Sequence, residues 1–183
     1  MLKVLRPVEN KRLVAYTDGS FKDGMYAYAF TLNVGEGSSL LHAVISVGEC
    51  TIFSGYNNVS CELEACYRAD KTAQDLGAKS VSLYTDFHGC FKFLTNEWGV
   101  KNNQSALYVK LMSELSIPFK IQYVRAHKGI KFNNEVDRMA RREADRLCSI
   151  KSSHRPSPDF VGNKIFSEAT EALIEEAFGI AIA

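Results

Sequence analysis

Three carboxylates stand where elements of regular structure end or begin. Asp18 follows the apolar run RLVAYT (12–17), Asp86 follows SVSLYT (80–85), and Glu62 falls in the first turn of a helix. A fourth, Asp137, opens a later helix. Carboxylates are poor strand formers and poor core residues, so two of them directly after apolar strands ask for a reason. Singly, each is explained as a cap or turn residue. If the strands before Asp18 and Asp86 are parallel neighbours, the acids gather at one end of one sheet. Four converging carboxylates repel one another unless cations neutralise them. Hard oxygen donors in that number suit Mg²⁺ or Mn²⁺ rather than Zn²⁺. Two such ions a few ångströms apart are a device for in-line attack on a phosphodiester. Glu64 does not belong to the set with Glu62, because residues two apart on a helix point about 200° apart.

The elements that must position these acids are read from periodicity. Residues 12–17 form a strand that runs into a turn signal at Asp18-Gly19-Ser20. In MYAYAFTLNV (25–34), Tyr26, Tyr28, Phe30, Leu32 and Val34 share one face, and Ala27, Ala29, Thr31 and Asn33 the other, the period of a half-buried strand. Residues 40–53 give a third strand, and the three make an antiparallel meander. Ser60 or Asn58 caps a helix to about Leu76, with Leu63, Cys66, Ala69, Ala73 and Leu76 at spacings of three and four. A strand over 80–85, helices over 88–96 and 104–115, and a fifth strand over 119–125 follow. Asn133 or Asn134 starts a helix to about Cys148, with Val136, Ala140, Ala144 and Leu147 inward. The predicted fold class is α/β: a mixed five-stranded sheet, element order β-β-β-α-β-α-α-β-α, flanked by helices.

Residues 1–150 make one domain on this reading, and 151–183 hold a linker (SSHRPSPD, 152–159) and a C-terminal helix over 165–180. That helix is amphipathic, with Leu173, Ala177 and Ile180 on one side and Glu168, Glu171 and Glu175 on the other. It packs on the chain's own body, docks on a second copy to make a homodimer, or covers the basic segment; the sequence leaves all three open.

Composition narrows the class. The 183 residues are 46% hydrophobic and 23% charged, which excludes wholesale disorder. No run of about 18 apolar residues exists, which excludes a spanning helix. The start, MLKVLRPVENKR, lacks an apolar core of signal length and points to a cytoplasmic protein. Five cysteines with no C-x-x-C pair read as small buried thiols. Net charge is +1, but its distribution is uneven: residues 120–155 carry 10 basic and 4 acidic side chains. This local excess serves a polyanion or is a solvated helix face.

Four motifs then agree in order and spacing: Y-T-D-G-S (16–20), C-E-L-E-A (61–65), L-Y-T-D (83–86) and A-H-K-G…N-N-E-V-D-R-M-A (126–140). Together they resemble type 1 ribonuclease H over about residues 12–148, in its viroplasmin-related branch. Asn58-Val59-Ser60-Cys61-Glu62 and Asp86-Phe87-His88-Gly89…Glu97-Trp98 are similar to segments of that branch. The resemblance implies a ribonuclease H-like fold, two Mg²⁺ ions (Mn²⁺ as an alternative), and cleavage of the RNA strand of RNA–DNA hybrids to 5′-phosphate and 3′-hydroxyl ends. It implies Asp18, Glu62, Asp86 and Asp137 as metal ligands, with Asp18 bridging, and His127 as a loop residue that moves protons or aids product release.

Departures from the family matter for substrate grip. The segment between the middle helices, NEWGVKNNQS, has one lysine where many relatives carry a basic helix and loop. Hybrid grip then falls to Lys128, Lys131, Arg138, Arg141 and Arg142. Asn57 and Asn58 either contact base edges and 2′-hydroxyls or serve as turn and cap residues. Phe87, where many relatives have a small residue, either alters strand contacts or packs under the next helix. Trp98 lines the DNA-strand groove or joins the core. Two alternatives stay open: an integrase- or resolvase-type nuclease, and a non-catalytic nucleic-acid-binding module on the same fold.

Overall fold

The computed structural model describes residues 1–125 and 130–153. His127 and Lys128, and the helix expected over 165–180 with its dimer contact, lie outside the described residues. The elements are β1 (Leu2–Val4), β2 (Arg12–Lys22), β3 (Met25–Val34), β4 (Leu41–Glu49), α1 (Asn57–Asp75), β5 (Ser80–Thr85), α2 (Gly89–Lys92), α3 (Asn103–Ser113), β6 (Phe119–Tyr123) and α4 (Lys131–Ser153). One mixed sheet runs β1-β4-β3-β2-β5-β6. The expected β-β-β-α-β-α-α-β-α order is present, but the sheet has six strands, not five. The extra strand is a three-residue edge piece, Leu2–Val4, antiparallel to β4. A segment that short carries no readable alternation.

β2 is the central strand, antiparallel to β3 and parallel to β5. It does not stop at the expected turn. It continues through Asp18-Gly19-Ser20 to Lys22, and the chain reverses at Asp23 (φ 47°) and Gly24 (φ 80°), the left-handed pair that a tight hairpin requires. Gly19 serves close approach instead: a Cβ there would lie 2.4 Å from the backbone carbonyl carbon of Cys61. The missing side chain lets α1 lie directly on β2.

β3 is buried on both faces rather than one. Tyr28, Phe30 and Leu32 join the core beneath α1 with Leu63, Cys66, Ala69 and Ala73. On the other face Ala29 packs with Tyr16, Val136 and Ala140, and Ala27 with Ala144 and Leu147. Small residues on that face make room for α4, whose inward stripe is the expected one.

Boundaries moved where side chains bond backbone. β4 ends at Glu49, short of residue 53, because the N–H groups of Thr51, Ile52 and Phe53 each donate to the Glu64 carboxylate at 2.9 Å. α1 begins at Asn57, with the Tyr56 N–H donating to Ser60 Oγ, so Glu62 lies in the second turn, not the first. The helix expected over 88–96 shrinks to Gly89–Lys92, with Asn96 left-handed at φ 58°. α4 starts at Lys131 and runs to Ser153, so Asp137 sits in its second turn rather than opening it.

Candidate metal centre

Parallel pairing of β2 with β5 places Tyr16 opposite Tyr84. Asp18 and Asp86 each follow two residues later, at the same end of adjacent strands. Strand alternation puts Asp18 on the face of Tyr16, which stacks between Tyr84 (5.2 Å) and Phe132 of α4 (5.5 Å). The close seat of α1 over Gly19 brings Glu62 to the same point. One oxygen from each of Asp18, Glu62 and Asp86 lies within 4.8 Å of the others.

Asp18 is 7% exposed and Glu62 8%. Burial, followed by the negative charges of Asp86 and Asp137, pushes the Asp18 carboxyl up to about 8. Burial first, then Asp18 and Asp86, holds Glu62 well above the ordinary carboxylate range. Glu62 Oε2 is buried with no hydrogen-bond partner among the described residues. A buried carboxylate oxygen without a partner is costly unless a cation or proton completes it. The donor set is all hard oxygen, so the residues fit Mg²⁺ or Mn²⁺.

Asp137 lines the same open cavity of about 530 Å³ as Asp18, Glu62 and Asp86, but stands outside the tight group of three. Its Oδ1 forms an ion pair with Arg141 Nε at 2.7 Å, one helical turn on. Arg141, expected in hybrid grip, therefore lies on the wall of the acidic site. Asn133, which the sequence presents only as a helix start, belongs to the site. It is buried, and its Nδ2 donates to Asp86 Oδ2 at 3.4 Å. The signal was available: Asn133 and Arg141 lie four residues to either side of Asp137, on one helix face.

The remaining candidates lie around this centre. Asn58 lines the cavity, and its Oδ1 accepts from the Phe21 N–H at 2.9 Å, tying α1 to β2. Asn57 is exposed, with φ 48°, at the start of α1. Lys131 lies over the Phe132 ring at 5.6 Å, Arg138 donates to the Asn134 carbonyl at 3.2 Å, and Arg142 is exposed. Phe87 is half-buried and packs over the start of α2, where a Cβ on Gly89 would lie 2.3 Å from its ring. Trp98 is partly exposed, edge-on to Phe87 and Phe93 under the Lys92 ammonium. Glu64, on the opposite side of α1 from Glu62, is wholly buried and ion-paired with Arg68 at 2.7 Å.

A profile of the RNase H family matches residues 10–145. Solved structures agree in fold. The N-terminal RNase H domain of Rv2228c from Mycobacterium tuberculosis superposes with a TM-score of 0.61 at 18% identity, covering 77% of this chain and 99% of that one. RNase H1 of the halophilic archaeon Halobacterium salinarum NRC-1 gives 0.57 at 23% identity, covering 74% and 98%. LC11-RNase H1, isolated from compost and solved in complex with an RNA/DNA hybrid, gives 0.58 at 17% identity, covering 74% and 99%. At these identities the likeness carries the fold alone. No curated protein sequence matches the chain.

Proposed function

The chain belongs to the RNase H family, and on that premise we propose that it is a divalent-metal-dependent endonuclease cutting the RNA strand of RNA–DNA hybrids. The observation that carries the reading is the tight trio of buried Asp18 and Glu62 with half-buried Asp86, with one Glu62 oxygen unpartnered among the described residues and the Asp18 and Glu62 carboxyls pushed upward by burial and mutual repulsion. Four acids, Asp18, Glu62, Asp86 and Asp137, would hold two Mg²⁺ ions, with Mn²⁺ as the alternative. When bound, such ions supply charge neutralisation and activation of water for in-line displacement at phosphorus, leaving 5′-phosphate and 3′-hydroxyl ends.

The chain's own residues do the rest. Asn133 fixes one Asp86 oxygen, so that the carboxylate offers the other in a set direction. Gly19 and Asn58 hold α1 against β2, keeping Glu62 beside Asp18. His127 carries a proton to or from the reacting phosphate. Lys128, Lys131, Arg138 and Arg142 hold backbone phosphates, and Asn57 and Asn58 contact 2′-hydroxyls in the minor groove.

The test is direct. Labelled RNA–DNA hybrid, double-stranded RNA and single strands are incubated with the full chain in Mg²⁺ and in chelator. The expected result is cleavage of the RNA strand in the hybrid alone, only with Mg²⁺. Equal cutting of all substrates points to a nuclease of another specificity, and binding without cutting to a non-catalytic module.

A further inference from the structure

Arg141 is the cation that the acidic site already holds. Its Nε lies 2.7 Å from Asp137 Oδ1 while its side chain is 61% exposed, so the contact is made at the cavity mouth and the guanidinium is not packed in place. Its positive charge also reaches Asp18, whose carboxyl it pulls down against the push of burial. The two later carboxylates of α4 already have cations of their own: Glu143 is paired with Arg146 at 2.6 Å, and Asp145, one turn beyond Arg141, with Lys22 Nζ at 2.6 Å. Among the described residues, Arg141 has no other hydrogen bond or ion pair. Asp137 thus has a competing partner that the tight trio lacks: no arginine or lysine pairs with Asp18, Glu62 or Asp86 among the described residues.

We propose that Arg141 is a positioning residue that exchanges partners. It occupies Asp137 until a divalent cation takes that carboxylate, and then presents its guanidinium to a phosphate of the bound strand. The inference rests on the proposed metal-dependent nuclease reading and deepens it. Two consequences follow from one contact. The guanidinium keeps the Asp137 side of the site weak for metal, because a unit charge a few ångströms away opposes the ion. Once displaced, it becomes a planar, always charged fork with phosphate as its natural acceptor. Metal loading and substrate grip are then coupled through one side chain, so nucleic acid that engages Arg141 favours metal at Asp137, and the reverse.

The experiment titrates Mg²⁺ into the full chain without nucleic acid, followed by amide chemical shifts, for wild type, Arg141→Gln, Arg141→Lys and Arg142→Gln. Removing the charge at 141 should lower the Mg²⁺ half-saturation by about 3–10-fold, the size expected of a unit charge at short range in high dielectric. Arg141→Lys should restore most of the wild-type value, since it keeps the charge. Arg142→Gln, the same charge change on the exposed face, should move it by less than half as much. A second measurement takes KM for hybrid at saturating Mg²⁺, where Arg141→Gln should raise KM several-fold although its metal site fills more readily. A purely structural i,i+4 pair would shift neither quantity in these opposite senses. Unchanged or weaker Mg²⁺ binding in Arg141→Gln overturns the exchange, as does an unchanged KM. Failure of the wild type to bind Mg²⁺ at all, or its binding Mg²⁺ without cutting hybrid, instead sinks the nuclease reading on which the proposal rests.

Discussion

Asp70 offers the sharpest physical test of the fold. It sits on α1 eight residues beyond Glu62, wholly buried, and neither carboxylate oxygen has a hydrogen-bond partner among the described residues. Burial alone pushes its carboxyl from 3.8 up to about 8. The folded protein therefore keeps a proton at neutral pH that the unfolded chain releases. The sign follows from linkage: between the unfolded and folded values the native state binds more protons, so stability falls as pH rises, by about 1.4 kcal/mol per pH unit. At pH 7 the group costs about 4 kcal/mol relative to acid conditions, to order of magnitude, from the roughly three units separating pH 7 from the ordinary value. That is a large share of the ~5–15 kcal/mol of a typical domain.

Asp70→Asn keeps the shape and removes the titration. Its amide also lacks partners, a pH-independent penalty of about 1–3 kcal/mol. The informative quantity is therefore the slope of the difference, not its offset. Urea unfolding of both proteins in chelator should show the variant gaining on wild type by about 3 kcal/mol between pH 5 and pH 7, then levelling above pH 8. Asp18 and Glu62 titrate in both proteins and cancel in the difference. A constant difference across that range would mean that the Asp70 carboxylate ionises freely, and would refute its solvent-excluded placement.

Other perturbations probe the site. Asp18→Asn should abolish hybrid cleavage by orders of magnitude yet leave the metal-free chain as stable or more so at neutral pH, since a buried repulsive acid is removed; near wild-type activity would dismiss the metal-ligand assignment. Mg²⁺ half-saturation should rise as pH falls below about 8, by up to tenfold per unit for each proton displaced, and a pH-independent value would contradict the raised Asp18 and Glu62 carboxyls. His127→Ala should slow turnover by about 10²–10⁴-fold without removing it, because water or buffer substitutes for a proton carrier; loss as complete as in Asp18→Asn would make it a structural or metal element. Gly19→Ala should lower the melting temperature and Mg²⁺ affinity together, as the added methyl forces α1 off β2 at a cost of about 1–3 kcal/mol; an unchanged protein would show that α1 has slack there.

The acids were legible because their surroundings repeat a simple logic. A carboxylate directly after an apolar strand is locally unfavourable, and two such strands in parallel register put two of them side by side. Glu62 and Glu64 show the same logic resolving a choice: helix geometry alone separates them, and each then does a different job, one facing Asp18 and Asp86 and the other holding three backbone N–H groups beyond β4. What the sequence hid was tertiary. Gly19 reads as a turn until the packing of Cys61 over it is seen, and Asn133 reads as a cap until Asp86 is found against it. Asn58 reads as a cap or minor-groove residue, and its side-chain oxygen also secures β2. In each case a residue type favoured in turns for local reasons is used for contact between distant segments, and no spacing along the chain records that. Arg141 is the instructive intermediate. Its charge drew it into a basic patch, while its position, one turn beyond Asp137, already required it to face the acid; charge counting over a segment averages away the periodicity that decides which face each charge occupies.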